Sequence, residues 1–131
     1  MTQIHGSVID TNVIIKMLNN DKAAIGILGS IKEVFVSIIV VGELFYGAYK
    51  STRKSENMAL FTATLSAFKI LPVDESVAVS YAIIKADLMK KGIKIPENDL
   101  WIAATASANN LPLVTFDSHF NGISQIKIVQ A

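Results

Sequence analysis

Ser7-Val8-Ile9-Asp10-Thr11-Asn12 is a short β-branched run that stops at a carboxylate followed by two polar residues. Two further runs of this kind cover 34–37 and 112–116, and two weaker ones cover 69–73 and 125–129. Five strands are expected from them, the first over 7–9. Between the runs, the apolar residues recur about every 3.6 positions: Ile25, Leu28 and Ile31; Val40, Leu44 and Ala48; Leu60, Ala63 and Ala67; Val77, Tyr81, Ile84 and Leu88; Ile102, Thr105 and Ala106. These predict helices. Strands that are apolar nearly throughout and alternate with helices predict a mainly parallel five-stranded sheet covered on both faces, because crossover helices bury both sides of such strands. The expected architecture is a three-layer α/β/α sandwich.

The chain has 131 residues, 51% hydrophobic and 18% charged, which suits one domain over 1–131 with a real core. Only 50–57 lets charge displace the hydrophobic pattern, and it reads as a mobile connection between two helices. The longest nearly uncharged apolar stretch, 34–42, is well short of the roughly 18 residues of a membrane span, and residues 1–7 lack an export signal's basic head and apolar core. A soluble cytoplasmic protein is expected. The absence of cysteine excludes disulfides, zinc-thiolate sites and a thiol nucleophile, leaving oxygen ligands, His5 or His119 for any metal. Twelve Lys and Arg against eleven Asp and Glu create no global basic field, so any nucleic-acid contact must be local.

Open parallel sheets bind ligands at the carboxyl ends of their strands. Asp10 directly follows the first predicted strand, and Asp117 directly follows Leu113-Val114-Thr115-Phe116. Glu43 lies within the apolar stretch 38–45, and its neighbours at helical spacing, Ile39, Val40, Tyr46 and Gly47, include no cation. Asp99 opens the apolar helix 100–108, with the small Ala103 and Ala106 nearly on its own face. The other acids, Asp21, Glu33, Glu56, Asp74, Glu75, Asp87 and Glu97, fall in polar segments or turns.

Taken singly, Asp10, Asp99 and Asp117 also read as helix or turn caps, with Asn98-Asp99 a good N-cap pair. Taken together, the four acids point to a site. Two like charges about 4 Å apart repel by roughly 4 kcal/mol at an effective dielectric near 20. A divalent cation relieves that repulsion, and oxygen-only ligands select Mg²⁺ or Mn²⁺. The chemistry that follows is phosphodiester hydrolysis.

Val8-Ile9-Asp10-Thr11-Asn12, Glu43-Leu44-Phe45-Tyr46-Gly47-Ala48, Asn98-Asp99-Leu100-Trp101-Ile102-Ala103-Ala104 and Leu113-Val114-Thr115-Phe116-Asp117-Ser118-His119-Phe120 together resemble the PIN-domain family. The likeness extends to its VapC-type toxins almost end to end. It implies a Mg²⁺- or Mn²⁺-dependent endoribonuclease with Asp10, Glu43, Asp99 and Asp117 on the family's four acidic positions. Asp10 and Asp99 would hold metal most directly, while Thr11, Asn12 and Thr115 would orient ligands or water. It further implies an RNA substrate, a homodimer and a cognate VapB-type antitoxin lying along the helices between Val40 and Phe68. Phe116 departs from the family, where many members carry a polar or basic residue.

Phosphate contacts would fall to Lys50, Arg53 and Lys54, or to Lys85, Lys90, Lys91 and Lys94, a group that reads more simply as a solvated face. Trp101, Phe45, Phe61 and Phe68 read as core, as do Tyr46 and Tyr49, whose other reading is a cleft wall that stacks on an unpaired base. His119 reads as a surface residue. The alternative function is a non-catalytic PIN-like module that binds RNA or protein. A phospho-acceptor receiver domain fits poorly, since Val8-Ile9-Asp10 lacks its adjacent acids and Lys127 is poorly placed; an aspartate-nucleophile phosphohydrolase would need a second Asp where Asn12 stands.

Overall fold

The computed structural model describes residues 4–131. Five strands, β1 (Ile4–Ile9), β2 (Ile31–Ser37), β3 (Lys69–Leu71), β4 (Leu113–Thr115) and β5 (Ile128–Gln130), form one parallel sheet in the order β3-β2-β1-β4-β5. Six helices connect them: α1 (Thr11–Leu18), α2 (Lys22–Gly29), α3 (Ile38–Tyr49), α4 (Lys54–Leu65), α5 (Glu75–Lys91) and α6 (Glu97–Ala108). A 3₁₀ turn, Ser118–Gly122, follows β4. The expected α/β/α sandwich is what the chain forms.

Strand order fixes where a ligand can sit. From β1 the chain steps outward to β2 and β3, then returns across β1 to place β4 on its other side. Right-handed crossovers put the α1–α2 and α3–α4 connections on one face of the sheet and α5–α6 on the other. The connections leaving β1 and β4 therefore diverge, and the crevice between their carboxyl ends is the switch point where open α/β sheets bind ligands. This order also differs from the 2-1-3-4-5 order of receiver domains.

The central strands are buried on both faces: Val8, Ile9, Val36, Leu113 and Val114 are fully inaccessible. Each such side chain contributes on the order of 1.5–3 kcal/mol. The buried Ser7 hydroxyl donates to Pro112 O at 3.0 Å and so ties β1 to the approach of β4. Gly92, at φ +69°, ends α5 in the left-handed region that favours glycine.

The boundaries depart from expectation in several places: β1 begins at Ile4 rather than at 7, and β3 ends at Leu71 rather than at 73. Ile31 is the first residue of β2, not the last of a helix, because it pairs with Ile4 and is buried there. The last strand starts later than the expected 125, at Ile128 in register with Leu113. α1 had no periodic signature: it is eight residues long and its apolar residues run together as Val13-Ile14-Ile15. The polar stretch 50–57 is half helix, since α4 begins at Lys54, and its turn is fastened by Ser51 Oγ donating to Ala48 O at 2.7 Å and Asn57 Nδ2 to Ser51 Oγ at 3.0 Å. No described helix is long and apolar enough to cross a membrane.

Candidate active site

The crevice at the β1–β4 rim is lined by acids. Asp10 sits on the last turn of chain out of β1, where its backbone N–H donates to Val114 O at 3.0 Å. Its side chain caps α1 by accepting from Thr11 N at 2.8 Å. Its other oxygen accepts from Thr115 Oγ1 at 2.8 Å and Asn12 Nδ2 at 3.2 Å. Asp10 is thus a helix cap that also lies within the field of Glu43 and Asp117. It is 5% exposed, and burial pushes its carboxyl above the usual value; Glu43 and Asp117 push the same way, against the hydrogen bonds from Thr115 and Thr11.

Thr11, Asn12 and Thr115 all hydrogen-bond within the acid cluster. Asn12 Oδ1 accepts from Phe116 N at 3.2 Å while its amide nitrogen faces Asp10, so one side chain joins the ends of β1 and β4. Thr115 Oγ1 donates to Asp10 and accepts from Asp117 N at 2.9 Å. Thr11 Oγ1 donates to Glu43 Oε1 at 2.7 Å and brings α3 to the cluster. Asn98 Nδ2 stands 3.5 Å from the other Glu43 oxygen. Among the described residues, Glu43 has no ion-pair partner.

Asp99 differs from the expected cap. The N-cap of α6 is Pro96, which leaves Asp99 inside the first turn. Burial raises its carboxyl to about 6, with Asp10, Asp117 and Glu43 each adding to the rise and His119 opposing it. All four acids therefore share one field. Asp117 caps the 3₁₀ turn by accepting from His119 N at 2.9 Å, and its other oxygen lies 3.1 Å from His119 Nδ1. Donor atoms of Asp99, Asp117 and His119 all lie within 4.8 Å of one another. His119 is exposed, as expected, yet it stands on the rim of the site.

A groove of about 850 Å³ opens beside Glu43 and Thr11, with Ile15, Ile39 and Phe61 in its lining and Tyr46 and Lys50 toward its far end. Tyr46 and Tyr49, expected in the core, are 67% and 60% exposed; α3 buries Val40, Val41, Leu44 and Ala48 instead. Phe61 is core, and Phe45, Phe68 and Trp101 pack against it. Arg53 is paired with Glu56 at 2.6 Å, while Lys50 and Lys54 lie over tyrosine rings. In the second basic group, Lys85 pairs with Glu97 and Lys91 with Asp87, consistent with a solvated face. Lys16, which lies outside every motif of the sequence, places its ammonium 5.0 Å from the Phe116 ring centroid. Its spacing from Asn12, one helical turn, was the available signal.

Oxygen-only acids at the rim, mutually repelling and supported by hydroxyl and amide donors, form a donor set that suits a hard divalent cation. A sequence profile described as "PIN domain" matches residues 7–125. The chain is 37% identical over 111 residues to "Ribonuclease VapC2" of Haemophilus influenzae, covering 82% of this chain and 83% of that protein. It is 31% identical over 123 residues to "Ribonuclease VapC2" of Rickettsia felis, covering 91% and 88%. Its fold superposes on VapBC2 from Rickettsia felis, solved bound to a promoter DNA fragment, with a TM-score of 0.86, 28% identity and coverage of 95% and 98%. With the profile match spanning most of the chain and the curated relatives matching most of their length, the chain belongs to the PIN-domain family, among its VapC ribonucleases.

Proposed function

We propose that this chain is the endoribonuclease toxin of a VapBC-type pair, a single cytoplasmic domain over 1–131 that works as a homodimer and is restrained by a VapB-type antitoxin. Asp10, Glu43, Asp99 and Asp117 hold Mg²⁺ or Mn²⁺ and Lys50, Arg53 and Lys54 meet the RNA backbone. The observation that carries this reading is the convergence of acids at one rim: Asp99 and Asp117 bring donor atoms within 4.8 Å, Thr115 bridges Asp10 to the Asp117 backbone and Thr11 holds Glu43 beside them, a like-charge crowding that costs folding energy. Such a cost persists where function requires the charge. The chemistry a divalent cation supplies in such a site is neutralisation of phosphate charge and a more acidic water.

The chain's own residues do the positioning. Thr115, Asn12 and Thr11 N–H fix the Asp10 carboxylate, and Thr11 Oγ1 holds one Glu43 oxygen so that the other faces Asn98. The antitoxin assignment rests on the VapBC pairs among the structural relatives. The test is incubation of the purified, antitoxin-free protein with transfer, ribosomal-fragment and messenger RNAs, with and without Mg²⁺ or Mn²⁺, beside Asp99→Asn. Metal-dependent cutting that the variant loses is expected. No cutting, together with no metal-induced rise in melting temperature, would replace this reading with a non-catalytic binding module.

A further inference from the structure

Tyr46 and Tyr49 are among the most exposed large hydrophobic side chains of the described residues, and each carries a lysine. Lys50 Nζ lies 5.1 Å from the Tyr46 ring centroid, and Lys54 Nζ lies 3.9 Å from that of Tyr49. Paired cations and open aromatic rings are what single-stranded nucleic acid requires, the cation for a phosphate and the ring for a base. Glu43 and Tyr46 on α3 and Lys50 at its C-cap are spaced i, i+3 and i+7, so they share one face over about 10 Å of helical rise. They also line one groove, continuous with the acid site through Thr11 and Glu43.

The groove separates the two demands. Ile15, Ile39 and Phe61 give it apolar lining suited to a flat base, and Lys50 gives its far end a cation suited to a phosphate. Arg53 already has Glu56 as a partner and is the lesser candidate for that contact. Resting on the function proposed above, we propose that Tyr46 stacks on the base of the unpaired nucleotide beside the scissile phosphate while Lys50 holds a phosphate further along the same strand.

The test walks a single abasic nucleotide along a short RNA on either side of the cut and compares kcat/KM for the wild type, Tyr46→Ala, Tyr46→Phe and Lys50→Gln. The wild type loses about tenfold at one position next to the cut. Tyr46→Ala loses about as much on intact RNA and shows no further loss at that position, whereas Tyr46→Phe follows the wild type. Lys50→Gln weakens binding and flattens its salt dependence. A Tyr46→Ala chain that keeps the wild-type abasic pattern overturns the stack while leaving the nuclease standing. The same chain with an altered mass in sedimentation assigns the groove to a second copy, which also overturns it. A wild type that cuts no RNA overturns the function reading, and the subsite with it.

Discussion

Asp10, at the end of β1, gives its carboxylate oxygens to Thr11 N, Asn12 and Thr115, whereas Asp99, in the first turn of α6, has no such donors among the described residues. Both carboxyls are pushed upward by burial and by neighbouring acids. Asp10 is built into the fold: it caps a helix and links two strands that are far apart in sequence. Asp99 supports nothing nearby, and its charge opposes folding. A fold can thus keep two acids in one site for different reasons, and substitution separates them.

Activity shows the largest effects and the least difference between them. Asp10→Asn and Asp99→Asn should each lower the rate of RNA cleavage by at least 10²–10³-fold, the scale of losing one strong electrostatic contact in a transition state. Single-turnover assays at saturating Mg²⁺ check this, and a variant within tenfold of the wild type would remove that acid from the site. Stability then divides the pair. Asp10→Ala should destabilise by about 2–3 kcal/mol through loss of the cap and of the partners of buried donors, read by urea unfolding without metal. Thr115→Val, which takes one bond from Asp10 and one from Asp117 N–H, should cost about 1–3 kcal/mol by the same measurement.

Asp99→Asn should instead stabilise the metal-free protein by about 1–2 kcal/mol, a figure already reduced for the solvent that reaches a half-buried group. The pH dependence has a definite sign. Asp99 keeps its proton in the folded state up to about 6, while an unfolded Asp releases it near 3.8. The folded state therefore binds more protons across that window, so metal-free stability falls as pH rises from about 4 to 6, and the raised Asp10 adds to the slope. Melting temperatures across pH 4–7 check this: Mg²⁺ should lift the neutral end, and Asp99→Asn should flatten the curve. The smallest effect belongs to Thr11→Val, about 0.5–1.5 kcal/mol for the bond to Glu43.

The acids were legible because each breaks a local pattern: Asp10 and Asp117 stop apolar strands, and Glu43 stands without a cation in an apolar helix. Asp99 was legible as an acid but not as a position, since the cap chemistry of Asn98-Asp99 is real and only the placement of Pro96 at the N-cap removes it. The exposure of Tyr46 and Tyr49 could not be read from α3, in which Glu43 is the single charged residue and no polar stripe marks the solvent side. Short elements failed for a related reason. α1 and the start of β2 carry too few residues for a period to emerge, and pairing with the sheet decides them. The contact between Lys16 and Phe116 required knowing that α1 runs beside β4.

The bond from Thr115 to Asp10 closes across 105 residues. At roughly 5–20 residues per second of synthesis, Asp10 is made about 5–20 seconds before its partner on β4. During that interval the nascent chain can hold α1 and α3, with Asp10 and Glu43, but it lacks Asp99, Asp117 and the strand that closes the crevice. The order of residues along the chain thus acts as a timer: the crevice closes only when its last strand has been made.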